Sequence, residues 1–462
     1  LTFIAFFIVT FAAYWLMRSR RGQNALLLAA SFVFVGFASF EAAVILAAGI
    51  AVDAITTHWM SRLPGRKKAL LGVSLVSDVG LLLVFKYFNF FAASVTSALI
   101  SLGLEADPLV LKVALPLGIS FYTLKKIAYV VEIYRGTLTP EGGWLDFALY
   151  TAFFPQVTAG PLDRPKHLLA QFSQARRWQW EHLNAAWMLL VTGAFKKLVI
   201  ADTVAKVVDR IFLLAAPSRL LLLVGGLGFA LQILADFSAY TDLARGAARL
   251  LGIETSPNFN APYLAVSPSD FWNRWHMTLT AWLKEHIFFP LRRALARREL
   301  DRWGWLAWAL PPLATMLASG FWHGAGWTYI LWGLYYGVLI VIYQALGLQP
   351  ERWGAGEPRR WLAWAVMFGL TVFGWLIFRA PSLAWLGGSL GSPWLHGRSD
   401  LAASLSSLSV IGVYSVPLLG LHLVDRWQPA HAWLRPLAHA AAATITVVYI
   451  NAAPQDFIYF QF

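Results

Sequence analysis

The 462-residue sequence is 58% hydrophobic and only 13% charged, with a mean hydropathy of +0.58. A soluble core of this length has no use for so much apolar surface, so the composition points to a polytopic membrane protein. Lysine and arginine total 37 against 24 acids, a net charge of +13, but the excess is dispersed through short connections. Membrane topology accounts for that dispersal and no nucleic-acid partner is implied, while the complete lack of cysteine excludes disulfides, a thiol acyl-enzyme and thiolate metal sites.

Apolar runs recur along the chain, at 1–17, 24–40, 41–58, 69–104, 109–131, 143–162, 184–216, 219–236, 305–322, 327–347, 361–380, 408–424 and 436–453. They predict an all-α bundle of roughly 11–13 transmembrane helices with a few short re-entrant or interfacial helices. The first run has no small-residue cleavage site and is followed at once by Arg18, Arg20 and Arg21, so it reads as a retained span. Those arginines and the cluster Arg62 to Lys68 both belong on the cytoplasmic side. Both reach it only if 24–58 crosses twice, as two spans of about 17 residues and ~26 Å each, which starts the N-terminus outside. No repeat, low-complexity tract or linker divides the chain, and residues 1–462 read as one membrane domain.

Segment 267–290, SPSDFWNRWHMTLTAWLKEHIFFP, opens with Ser267 as N-cap, Pro268 at the first helical position and Asp270 three residues after the cap. Spacing by four puts Trp272, His276 and Thr280 on one face and Trp275, Leu279 and Leu283 on another, with Pro290 as the end. The segment is too short and too charged to span, so it lies at the interface or re-enters a protein-lined space. Arg292, Arg293, Arg297, Arg298 and Arg302 follow and place the next connection in the cytoplasm. A hairpin at 305–347 comes after it.

Ionisable groups in apolar runs need a partner or a task. Lys86, Lys125, Lys126, Lys196 and Lys197 read as snorkelling lysines. Asp236, Ser238, Tyr240 and Asp242 form either an internal hydrogen-bonded cluster or part of a site. His276 reads equally as interfacial or functional. His323, in SGFWHGAGW, lies near the turn of the hairpin, up to ~27 Å along a straight helix from the basic loop, and less because Pro311-Pro312 is expected to interrupt the rise. Gly320, Gly324 and Gly326 allow a backbone or substrate to approach closely while the ring stays exposed to a cavity, which favours a functional role for His323 over that of a satisfied core histidine. The two histidines are 47 residues apart with no third ligand at metal-binding spacing, so no metal is expected.

Taken together, FKYFNFF (85–91), LPLGISFYT…YVVEIYRG (115–136), FFPQVTAGPLDRP (153–165), FKKLVIAD (195–202), ILADFSAYTDLARG (233–246), FNAPYLAVSPSDFWNRWHMTLTAWLKEHIFFPL (259–291), SGFWHGAGWTYILWGLYYG (319–337), IFRA (377–380) and FIYFQF (457–462) resemble the membrane-bound O-acyltransferase (MBOAT) family. Within it the chain is most similar to the bacterial branch that acetylates alginate or transfers D-alanine to teichoic acid. The pairing of DFWNRWHMTL with GFWHGAGW…LWG is highly specific. Three departures stand out: Lys125-Lys126 where the alginate type more often has uncharged polar residues, Ala239 in place of a glycine, and a shorter region between IFRA and the terminus.

The resemblance implies an O-acyltransferase in the bacterial inner membrane, with the family's invariant histidine on His323 and its supporting histidine on His276. Trp272, Trp275, Trp322, Asp236, Ser238 and Asp242 fall in the surrounding substrate-binding or supporting set. Acetyl-CoA is the implied donor, with no permanently bound cofactor, and a polysaccharide hydroxyl is the acceptor, alginate-like first. The implied partner is an extracytoplasmic serine-bearing acetyltransferase. In this scheme His323 acts as a base or is transiently acylated, and His276, Trp272 or Trp322 supplies an N–H to the developing oxyanion. The basic loop at 292–302 is either a topology anchor or a grip on CoA phosphate. The alternatives are D-alanyl transfer from a carrier protein to teichoic acid, and a transporter of an acyl or lipid-linked intermediate in which His and Asp form a proton relay.

Overall fold

The computed structural model describes residues 2–107, 109–111, 115–139, 143–297, 304–354, 356–427, 433–450 and 455–458. Among the described residues every regular element is a helix. Seven helices are long and apolar enough to cross a membrane: Arg20–Ala38, Phe40–Arg62, Pro64–Ser101, Arg219–Leu250, Trp327–Ala345, Pro358–Arg379 and Arg398–Leu421. Two shorter apolar helices, Thr2–Leu16 and Pro436–Tyr449, accompany them. The fold is therefore the all-α polytopic one anticipated from the hydropathy.

The chain folds into two compact units, Leu1–Trp187 with Ala244–Ser256, and Met188–Leu243 with Pro257–Phe462. In the first, the double crossing expected of 24–58 is present as Arg20–Ala38 and Phe40–Arg62. Ser39 breaks the run: extended at φ −161°, it ends one helix, and its hydroxyl accepts from Ala42 N–H to start the next. The unit's core is built on Tyr14, Leu27, Leu46, Tyr122, Tyr150 and Phe153. Val73, Val76, Val79 and Val84 on Pro64–Ser101 stay exposed, as a lipid-facing surface requires.

The lysines of this unit do not snorkel. Lys126 is fully buried, bonded to Asp78 and 3.3 Å from Asp53, two carboxylates that are themselves fully buried. Gly49 makes room for it, since a Cβ there would stand 2.6 Å from the ammonium. Lys125 donates to Gln156 Oε1 at 3.0 Å, and Gln156 in turn donates to Asp163 Oδ2 at 2.6 Å. Lys86 donates to Ser120 at 3.2 Å. Partners on other helices remove the need to reach an interface.

In the second unit, Trp272, Trp275, Trp332, Tyr336, Trp375 and Phe378 belong to one continuous aromatic core. Helix Gly304–His323 runs unbroken through Pro311 and Pro312, contrary to the interruption expected from sequence, so His323 stands about 28 Å along it from Gly304. Thr315 Oγ1 donates to the Pro311 carbonyl, which as residue i−4 has a hydroxyl donor one turn on. This helix packs closely on Trp327–Ala345 because Gly320 and Gly333 meet across the contact, their Cα atoms lying where either side chain would go. The glycines beside His323 are thus spent on helix packing: a Cβ on Gly320 would fall on the Tyr329 carbonyl oxygen, and one on Gly324 on the Tyr329 ring. His323 itself is only 7% exposed.

Candidate active site

The segment expected to form one helix from 267 to 290 starts as predicted and then breaks. Ser267 caps Pro268–Arg274, its hydroxyl accepting from Asp270 N–H at 3.0 Å. The helix ends at Trp275, whose N–H donates to Phe271 O, and a second one, Met277–Leu283, begins after His276. His276 has φ +43°, a left-handed conformation that a non-glycine residue adopts at a cost. Helical direction continues past Pro290 as Phe289–Arg297, with a π-helical stretch Lys284–Phe288 before it. Arg298 and Arg302 lie outside the described residues. The four-residue face of Trp272, His276 and Thr280 therefore does not exist.

What holds the break is a loop from earlier in the chain. Met277 N–H donates to Asn258 O and Asn260 N–H to Arg274 O, each at 2.9 Å, so residues 258–260 run alongside 274–277. Asn258 Oδ1 accepts from Thr278 N–H at 3.2 Å and from Thr278 Oγ1 at 2.9 Å, and lies 3.1 Å from His276 Nδ1. The side chain of Asn258 thus caps the second helix and grips the imidazole with one atom.

Around the two histidines the walls are aromatic. Phe237 stands edge-on to His276 at 4.7 Å between ring centres, and Trp322 lies 5.9 Å from His276 and 4.9 Å from His323. Trp332 and Phe378 close the other sides of His323 at 5.0 and 5.3 Å. Trp272 packs on Trp332 at 5.5 Å, and Trp275 on Phe237 and Trp375 at 6.4 and 4.8 Å. His276 and His323 thus both lie against Trp322, and both are buried. Burial pushes the His276 pKa down to about 3, since taking the ring out of water disfavours its cation. Among the described residues, the buried donors Trp272 Nε1, Trp332 Nε1 and Asn258 Nδ2 have no hydrogen-bond partner. Such groups are costly unless a substrate oxygen completes them.

Asp236 and Asp242 are engaged elsewhere. Asp236 Oδ1 pairs with Lys197 at 2.7 Å and its Oδ2 accepts from Ile458 N–H at 2.6 Å, while Lys197 also pairs with Asp202 at 2.9 Å. Lys197 further donates to the Asp456 carbonyl at 3.2 Å and lies 4.3 Å over the Phe457 ring. Asp242 pairs with Lys196 at 2.7 Å, and Ser238 Oγ reaches only Ala235 O on its own helix, at 3.4 Å. Lys196 and Lys197 are accordingly ion-paired, not snorkelling. Sequence reasoning missed Phe237, which stands between Asp236 and Ser238 and touches His276, and Asn258. The available signal was a pair of asparagines, Asn258 and Asn260, in a short proline-bounded loop just before the tryptophan-rich segment.

A polytopic helical protein that gathers two imidazoles and several buried N–H donors in one aromatic chamber has the make-up of a membrane-embedded transferase. Residues 141–373 match the family model described as MBOAT, membrane-bound O-acyltransferase family, and the chain belongs to that family: it is an O-acyltransferase. It is 34% identical to the probable alginate O-acetylase AlgI of Pseudomonas syringae over 422 residues, 88% of this chain and 78% of the relative. It is 32% identical to the peptidoglycan O-acetyltransferase of Helicobacter pylori over 349 residues, 69% of this chain and 63% of the relative. It is 27% identical to the teichoic acid D-alanyltransferase of Bacillus subtilis over 276 residues, 57% and 68% respectively.

Proposed function

We propose that this enzyme takes an acetyl group from cytoplasmic acetyl-CoA and delivers it toward a hydroxyl of an extracytoplasmic polysaccharide, alginate-like, in the bacterial inner membrane. A serine-bearing extracytoplasmic partner completes the transfer to polymer. The observation that carries the reading is the packing of both His276 and His323 against Trp322, with buried N–H donors nearby. The relative with the greatest share of this chain aligned among those described above is a probable alginate O-acetylase, which supports acetyl over other acyl groups.

In the reaction, the acceptor hydroxyl gives its proton to His323 as its oxygen attacks the thioester carbonyl. The C–O bond forms, negative charge builds on the carbonyl oxygen, and the C–S bond then breaks to release CoA thiolate, which recovers the proton. A positioned base contributes about 10²–10⁴-fold to such a step. Trp272 or Trp332 Nε1–H donates to the oxyanion, where one donor is typically worth about 10²–10³-fold. His276 holds the acceptor. Asp236, Ser238 and Asp242 serve by fixing helices, not by touching substrate.

The test uses the purified protein in lipid nanodiscs with radiolabelled acetyl-CoA and the partner. Wild type should release CoA and label the partner, and His323→Ala should fold, judged by gel filtration, yet do neither. Labelling from D-alanyl carrier protein alone would replace the acetyl reading with D-alanyl transfer, and full activity of His323→Ala would remove the base from that residue.

A further inference from the structure

The tautomer of His276 is fixed by its neighbour. Asn258 offers an oxygen and an NH₂ group, and which one faces His276 follows from a third party. Thr278 N–H is a donor only and points at the same Asn258 atom at 3.2 Å, so that atom is the carbonyl oxygen. A carbonyl oxygen accepts and never donates. The His276 nitrogen 3.1 Å from it, Nδ1, must therefore carry the proton, and in a neutral ring Nε2 carries the lone pair.

We infer that Asn258 is a positioning residue that locks His276 as the Nδ1–H tautomer, so that His276 presents Nε2 to the substrate as a hydrogen-bond acceptor and not as an oxyanion donor. The inference rests on the acetyl-transfer reading for its kinetic consequence, but the tautomer itself does not. It reverses the N–H role that the family resemblance left open for His276 and leaves the oxyanion to the tryptophan donors.

Three independent features agree. His276 is 1% exposed and its burial favours the neutral ring, the only state in which the two nitrogens differ. Its backbone is held left-handed at φ +43°, with Met277 N–H tied to Asn258 O, so the main-chain contact keeps His276 beside Asn258. In water a histidine ring favours neither position strongly enough to be relied on, so a fixed acceptor at one nitrogen sets the function of the other. Nε2 then accepts from a substrate O–H or N–H other than the reacting hydroxyl, whose single proton goes to His323 as its oxygen attacks.

The experiment has a spectroscopic and a kinetic arm. Protein labelled with ¹⁵N-histidine in membranes is compared by solid-state NMR with His276→Gln, and the difference spectrum isolates the His276 nitrogens. A protonated Nδ1 and an unprotonated Nε2 are expected, and a protonated Nε2 in wild type would overturn the inference whatever the enzyme's substrate. Asn258→Leu, which removes the acceptor, should lose the Nδ1–H signature and reduce kcat by on the order of 10²–10⁴-fold with a much smaller change in KM for acetyl-CoA. Asn258→Asp keeps an acceptor and should restore both the tautomer and a large share of kcat. Thr278→Val, which breaks a bond to the same oxygen without touching the ring, should retain the tautomer and most of the rate. Equal loss in Asn258→Asp and Asn258→Leu with an unchanged His276 spectrum would show that Asn258 only supports the fold.

Discussion

Replacing Lys126 by methionine tests the account of the buried charges most sharply. The substitution keeps an unbranched side chain one atom shorter and removes one positive charge from between Asp53 and Asp78, which have no solvent exposure. At the 3.3 Å separation from Asp53 and an effective dielectric near 20, the gross attraction lost is about 5 kcal/mol for that pair alone. Removing one partner of a buried pair typically costs about 3–5 kcal/mol after relaxation, because the remaining charge is left uncompensated. For a unit of 187 + 13 = 200 residues this lowers the melting temperature by on the order of 10 °C. Thermal unfolding in detergent, followed by tryptophan fluorescence, reads it directly. The triple variant Lys126→Met with Asp53→Asn and Asp78→Asn carries no buried charge and should recover most of the loss. A single variant melting within about 2 °C of wild type would refute the pairing and restore the snorkelling reading.

Gly333→Ala should force apart helices Gly304–His323 and Trp327–Ala345, since its Cβ would fall on the Met316 carbonyl, and lower acetyl transfer at least ~10-fold. Gly412→Ala, with open space around it, should leave activity unchanged, and equal rates would sink the packing argument. Reporter fusions placed at Leu63 and after Arg297 should both give cytoplasmic signals, and an outside signal from either would overturn the assignment of the basic connections. The fourth prediction concerns pH. His276, outside the helices long enough to span, has a folded pKa pushed down to about 3 against an ordinary value near 6.5, so below pH 6.5 the unfolded chain binds a proton that the folded one does not. Stability should fall as pH drops through that window, by about 2 kcal/mol at pH 5 from this group alone. The pH 7.5 to pH 5 loss in melting temperature should therefore be smaller in His276→Gln than in wild type, and an identical loss would place a protonated imidazole in the fold.

Hydropathy made the seven long apolar helices legible, charge placement made the division of 24–58 legible without pointing to Ser39, and cap chemistry made one boundary legible, Ser267, which starts the tryptophan-rich segment where expected. The lysines were misread for a physical reason. Whether a lysine snorkels or pairs depends on what stands opposite, and Asp78 and Asp53 for Lys126 and Asp236 for Lys197 are tens of residues away and on other helices, only Asp202 of Lys197 being near in sequence. No local pattern encodes that. The prolines misled in the opposite sense: Pro311 and Pro312 forfeit backbone bonds, yet the helix passes through them in close contact with its neighbour.

His276 shows why the site was half legible. Its identity and its tryptophan neighbours can be read from the segment, but a spacing of four implies a helical face only if the helix continues, and here it does not. A chain interrupted among apolar neighbours exposes backbone N–H and C=O groups that lipid cannot satisfy, so the interruption survives only where other polar groups meet it. Residues 258–260 do so, with Asn258 serving the Met277 and Thr278 amides and the His276 ring at once. The same atoms that make the break affordable thus determine which nitrogen of His276 carries a proton. Phe237 follows the same logic from the other side: it sits in a run of residues whose carboxylates drew attention, yet those carboxylates secure lysines and the 455–458 segment, and it is the apolar ring between them that reaches the histidine.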